Sequence, residues 1–117
     1  MEKKDLNEII DKIKKFRDDR DWMQFHDHKN MAISLVLEAT EVLEHFQWKS
    51  DEEVKKYAEE NKDEIGEEIA DVAVYLFEMA DNLGIDLIDA MDKKMDKNAK
   101  KYPVEKAKGK ATKYNRL

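Results

Sequence analysis

Glu38 and Glu41 stand three residues apart in LVLEATEVLEHFQW, residues 35–48, with apolar neighbours on both sides. On a helical wheel of about 100° per residue they share one narrow sector with Ser34 and His45. Leu37 and Trp48 flank that sector on one side, Leu35 and Val42 on the other. The ordinary polar face lies elsewhere, at Thr40, Glu44 and Gln47. The stretch EEIADVAVYL, residues 67–76, repeats the pattern. Glu68, Asp71 and Tyr75 fall at i, i+3 and i+7 beside the apolar positions Val72 and Met79. Glu67 and Glu78 are expected to face solvent.

With 28 acids in 117 residues, acid-x-x-acid pairs arise by chance roughly six or seven times, so one pair carries little. Two pairs on successive helices, each bordering the core, carry more. Two carboxylates about 5 Å apart repel by about 3 kcal/mol at an effective dielectric of 20. Protonation, lysine partners or a divalent cation must offset that. An all-oxygen donor set without sulfur suits Mg²⁺, with Mn²⁺ as the alternative, better than zinc. From the residues alone a hard-metal site stands beside a plain network of surface salt bridges.

Helices must position these acids. Leu6, Ile9, Ile10, Ile13 and Phe16 predict a first helix over about 5–19. The segment DWMQFHDHKN, residues 21–30, reads as a loop with half-buried aromatics. A second helix is expected over 29–47. A short charged one follows over 51–60, opened by a capping box of Ser50 and Glu53. A third core helix covers 62–83, with Ile65, Ile69, Val72, Leu76, Met79 and Leu83 as its inward stripe. Gly84 is placed to stop it and Asp86 to cap the next helix, over 87–101, which should bury Leu87, Ile88, Met91 and Met95. Residues 103–117 show no clear period. The expectation is all-α: one domain, a four-helix bundle over about 5–102 with an irregular basic tail. Val74 and Phe77 leave a second apolar surface that an isolated bundle would not bury, which calls for a partner subunit.

The composition is 43% charged and 41% hydrophobic, which suits helices with wet outer faces. The absence of cysteine removes disulfides and thiolate metal sites, and a reducing, cytoplasmic setting is expected. A net charge of −6 argues against binding a nucleic acid polymer. No run suggests a signal peptide or a membrane span. Lys94, Asn98 and Lys101 form a polar stripe that could donate to phosphate oxygens. Trp22, Phe25 and Trp48 could as well be core or interface aromatics, and Lys94 a surface lysine.

Taken in order, Glu38-x-x-Glu41 and Glu68-x-x-Asp71 resemble the E-x-x-E…E-x-x-D signature of MazG-like nucleotide pyrophosphohydrolases, of the all-α NTP pyrophosphatase superfamily. RDWMQFH at 20–26, EHFQW at 44–48, DVAVYL at 71–76, KMDKNAKKYP at 94–103 and KGKATKY at 108–114 are closest to its dCTP pyrophosphatase branch. The resemblance implies Mg²⁺-dependent hydrolysis of a nucleoside triphosphate, dCTP or a modified analogue, to monophosphate and pyrophosphate. By it, Glu38, Glu41, Glu68 and Asp71 hold the metal, and Glu41 or Glu38 serves the attacking water. Trp22, Phe25, His26, Trp48 and Tyr75 line the base and sugar pocket, and Lys94, Asn98 and Tyr102 reach phosphates or sugar. A homodimer or homotetramer is expected. Thr40 and Lys29 depart from the family, which often has glycine and arginine there. The competing readings are a dUTPase-like or other all-α pyrophosphohydrolase, and a non-catalytic metal-binding helical module.

Overall fold

The computed structural model describes residues 5–117, and its described residues contain helices and turns but no strand. The helices are α1 (Leu6–Asp19), α2 (His28–Glu44), α3 (Asp51–Glu60), α4 (Lys62–Asn82), α5 (Leu87–Lys101) and α6 (Val104–Ala107). Two 3₁₀ turns accompany them, Met23–Phe25 and Tyr114–Arg116. No described helix is long and apolar enough to cross a membrane.

Four of the helix starts have a side-chain cap. Asp5 accepts from the Glu8 amide at 2.9 Å, and Asp27 accepts from the Asn30 amide at 2.9 Å. Ser50 and Glu53 close the expected capping box on α3, and Asp86 accepts from the Asp89 amide at 3.1 Å to open α5. Such caps satisfy amides that a helix start leaves without partners. Beyond α4, Gly84 adopts φ +69°, a conformation glycine reaches without steric cost. The tail is more regular than its sequence suggests. Pro103 opens the single turn of α6, and Tyr114 rests edge-to-face on Tyr102 at 6.1 Å.

The second helix ends at Glu44, three residues before the expected Gln47. Tighter turns follow it, with the His45 amide on the Val42 carbonyl and the Phe46 amide on that of Leu43. Trp48 then takes φ +68°, unusual for a side chain of that bulk.

The chain divides into two compact units, residues 1–84 and 85–117. In the first, α2 and α4 form the main pairing, and α1 and α3 also lie against α4. Met31, Ile65 and Ala80 are its buried apolar residues. The inward stripe expected of α4 is only partly buried: Val72 and Met79 are half-covered, but Ile69, Leu76 and Leu83 are exposed. On α2, Ile33, Val36, Leu37 and Leu43 lie open as well. In the second unit, Ile88, Met91 and Met95 are exposed, against the expectation of burial. Periodicity marks a face that wants covering; it does not supply the cover within one chain.

Candidate functional site

The pairing of α2 with α4 brings the two acid motifs together. One carboxylate oxygen from each of Glu38, Glu41 and Glu68 can be chosen so that all lie within 4.8 Å of one another. Glu38 is the most enclosed in consequence. Its Oε2 is buried and is the one buried side-chain oxygen or nitrogen found without a partner among the described residues. Burial raises the Glu38 pKa, helped by the charge of Glu41 and a hydrogen bond shared with it, then by Asp71 and Glu68. The Glu68 pKa is raised too, first by a hydrogen bond shared with Glu41, then by desolvation and the Glu41 charge, with His45 opposing. Acids packed this way cost free energy unless a proton or cation arrives.

Asp71 stands beside Glu38 on a cavity of about 200 Å³ whose walls include Phe16, Trp22, His26 and Tyr75. Trp22 is held there because the chain turns sharply at Asp21, φ +55°, and its ring meets Phe16 edge-to-face at 5.7 Å. Arg20 covers the Phe16 ring at 3.7 Å. Burial pushes the Tyr75 phenol upward, followed by the charges of Glu38, Asp71 and Glu78, against a hydrogen bond with Ser34. Tyr75 therefore keeps its proton at neutral pH and is available as a donor.

Two aromatic candidates of the first unit fall outside this cluster. Phe25, on the 3₁₀ turn, is 59% exposed and does not line the cavity. Trp48 is 92% exposed and also stands apart from it. Lys94, Asn98 and Tyr102 belong to the second unit. There Lys94 borders an apolar depression with Ala90, Met91 and Met95, and the Asn98 amide points at the Met95 sulfur at 4.0 Å. His45 gives its Nδ1 to a 2.7 Å hydrogen bond with the Tyr57 hydroxyl. Those two residues face a second acid-rimmed hollow with Glu41, Glu44 and Glu68.

The structure corrects one placement outright. Glu78, expected to face solvent, is 3% exposed. Its carboxylate meets His26 Nδ1 at 2.8 and 3.0 Å and accepts from Asn82 Nδ2 at 3.1 Å. The buried Arg17 lies 3.9 Å away and donates to Asn82 Oδ1 at 3.2 Å. Arg17 also binds Asp18 through two donors, and that bond leads the rise in its own pKa and the fall in that of Asp18. Sequence reasoning missed Arg17, Glu78 and Asn82. The usable signal was a charged residue next to the apolar stripe of α1 with an acid and an amide one turn apart on α4.

The fold of this chain is similar to that of a pyrophosphatase from Archaeoglobus fulgidus known from a crystal structure. The match has a TM-score of 0.81 and 41% identity, and it covers 88% of this chain and 96% of that one. A MazG-like family profile matches residues 33–117, and the chain belongs to the MazG-like family. Among curated proteins it is similar to dCTP pyrophosphatase 1 of Rattus norvegicus, 42% identical over 104 residues. That of Homo sapiens is 38% identical over the same length. Each alignment takes in 87% of this chain, which spans only 61% of the length of those relatives.

Proposed function

We propose that this protein is a divalent-cation-dependent nucleoside triphosphate pyrophosphohydrolase, taking dCTP or a related pyrimidine nucleotide to its monophosphate and pyrophosphate. The observation that carries the reading is the carboxylate cluster at the rim of the aromatic cavity, with the buried Glu38 Oε2 left without a partner. A buried, unpaired carboxylate oxygen among other acids fits a hard cation. Glu38, Glu41 and Glu68 would hold it with Asp71 beside them, Mg²⁺ first and Mn²⁺ as the alternative. When bound, the ion would offset the charge of the triphosphate and polarise the phosphoryl group under attack.

The remaining roles belong to the chain. Phe16 and Trp22 offer a face against which a base can stack. Tyr75 offers a hydroxyl donor from the cavity wall. Glu41, more open than Glu38, would orient or deprotonate the attacking water, with Glu38 as its neighbour. Lys94, Asn98 and Tyr102 would supply donors to phosphates or sugar.

Trp48 supports a homo-oligomer. A tryptophan held at a left-handed backbone position and 92% exposed has a use if it reaches the pocket of a second copy. The open apolar face of α2 offers a surface for that association, as a dimer or tetramer. Work in the cytoplasm goes with a chain that lacks cysteine.

The test is to incubate purified protein with each deoxynucleoside triphosphate and Mg²⁺ and to measure pyrophosphate. Glu38→Gln and Asp71→Asn should abolish release while leaving the helical circular dichroism intact. Preferred turnover of dUTP would move the assignment to another base. Metal-dependent melting without turnover of any nucleotide would make this a structural metal-binding module.

A further inference from the structure

The buried Glu78 cluster takes no part in the proposed chemistry, yet Glu78 and Arg17 share the cavity wall with His26. Glu78 is enclosed by donors: Asn82 Nδ2 at 3.1 Å, and the Arg17 guanidinium 3.9 Å from the same oxygen. With Arg17 beside it and Asn82 donating to it, the carboxylate acts as an acceptor only. The proton in the 2.8 Å contact with His26 therefore sits on Nδ1 of the imidazole. In the neutral ring that leaves Nε2 as a bare acceptor, and it makes no hydrogen bond among the described residues. His26 shares the cavity wall with Trp22 and Tyr75.

We propose that Glu78 is a positioning residue for base selection. By accepting the Nδ1 proton of His26, it fixes the ring so that Nε2 meets the base as an acceptor, which favours a pyrimidine with a 4-amino group over one with a 4-oxo group. The inference rests on the pyrophosphohydrolase reading and deepens it. A 4-amino group donates to Nε2, whereas a 4-oxo group would set one lone pair against another, a mismatch that buried sites punish more than a missing contact.

The variants Glu78→Gln and Glu78→Met separate this role from simple support of the fold. Glutamine keeps an oxygen acceptor at that position; methionine keeps the bulk and removes it. The readout is the ratio of kcat/KM for dCTP to that for dUTP, which is independent of the fraction of protein folded. It is taken together with the ¹⁵N chemical shifts of the His26 ring. With three histidines in the chain, single substitutions assign the spectrum.

The expected result is a neutral, Nδ1-protonated His26 in the wild-type protein, with tautomer and ratio largely preserved in Glu78→Gln. Glu78→Met should shift the proton to Nε2 and lower the amino-over-oxo ratio about tenfold. A wild-type ring protonated on Nε2 or on both nitrogens overturns the inference, as does an unchanged ratio in Glu78→Met. If Glu78→Met does not fold, the wild-type tautomer still decides. A wild-type protein that hydrolyses no triphosphate defeats the underlying reading, whereas an active one with the wrong tautomer or ratio defeats this inference alone.

Discussion

Replacing Glu38 by glutamine should stabilise the metal-free protein and remove its response to Mg²⁺. Its carboxylate and that of Glu41 have oxygens within 4.8 Å. At that separation two charges repel by about 1 kcal/mol in bulk water and about 3.5 kcal/mol at an effective dielectric of 20. Glu41 is exposed and Glu38 half-buried, so the value belongs near the lower figure, about 1–2 kcal/mol. Glutamine keeps the shape, removes that repulsion and lowers the desolvation cost of the buried oxygen. For a chain of this size the gain is about 3–10 °C in Tm.

The pH dependence has a definite sign. The Glu38 pKa is raised in the folded state, so the folded protein holds that proton more tightly than the unfolded chain does. Its contribution to stability is whole below the ordinary carboxylate pKa and is lost as pH rises through the raised value. Metal-free wild type should thus lose stability on passing from mildly acidic to neutral pH, and Glu38→Gln should flatten that loss. Asp18 works the other way, since Arg17 lowers its pKa and its contribution is lost as pH falls. Added Mg²⁺ should raise the Tm of the wild type well above its metal-free value, by mass action, and leave the variant nearly unmoved. Differential scanning calorimetry with EDTA and with Mg²⁺, at pH 5 and pH 8, reads all four conditions. A variant that melts below wild type in EDTA at pH 8, or that gains as much as wild type from Mg²⁺, would refute the reasoning.

Four further outcomes are expected. Glu78→Ala, which strips a buried Arg17 and His26 of their shared partner, should cost about 2–4 kcal/mol in urea unfolding; a loss under 0.5 kcal/mol would show that the cluster bears no strain. Gly84→Ala should cost about 1 kcal/mol in the same assay, because an added Cβ meets nothing within 4 Å and only the positive φ resists it. Trp48→Ala should change stability by less than about 0.5 kcal/mol at a site 92% exposed in the single chain, yet raise KM for the nucleotide; equal KM would remove Trp48 from the pocket. If the proposed homo-oligomer forms through α2, Leu37→Glu should shift the sedimentation coefficient toward that of a monomer, and an unchanged value would refute an α2 contact.

The acid motifs were legible because three-residue spacing on a helix fixes direction as well as position. Once α2 and α4 pair, Glu38, Glu41 and Glu68 have little choice but to meet. Caps at Ser50 and Asp86 were legible for the same local reason. Glu78 was not, because its surroundings come from Arg17 and His26, far away in sequence, and a wheel drawn on one helix holds neither. The backbone at Trp48 was not legible for another reason: the helix stops at Glu44, so a wheel extrapolated past that point does not describe where residue 48 lies. The methionines of α5 were read as buried from their period, but a period states only that a face is apolar.

Along α4 runs one stripe with two characters. Glu68, Asp71, Tyr75, Glu78 and Asn82 follow one another at steps of three and four residues, so they lie on one side of the helix. At its start the acids have too few partners, and under the proposed reading that deficit would attract a cation and with it a polyphosphate. At its end the acid has Arg17, Asn82 and His26 and no need of an ion. Asp71 and Glu78 are separated by about 10 Å of helix rise, close to the span of a nucleoside from its first phosphate to the far edge of its base. Exchanging the two conditions should fail in both directions. A cation partner built next to Asp71 would weaken metal binding, and an unpaired Glu78 would release His26. The acids of one helix are thus matched in two ways, and under the proposed reading charge is left over where the phosphates would go and cancelled where the base would be read.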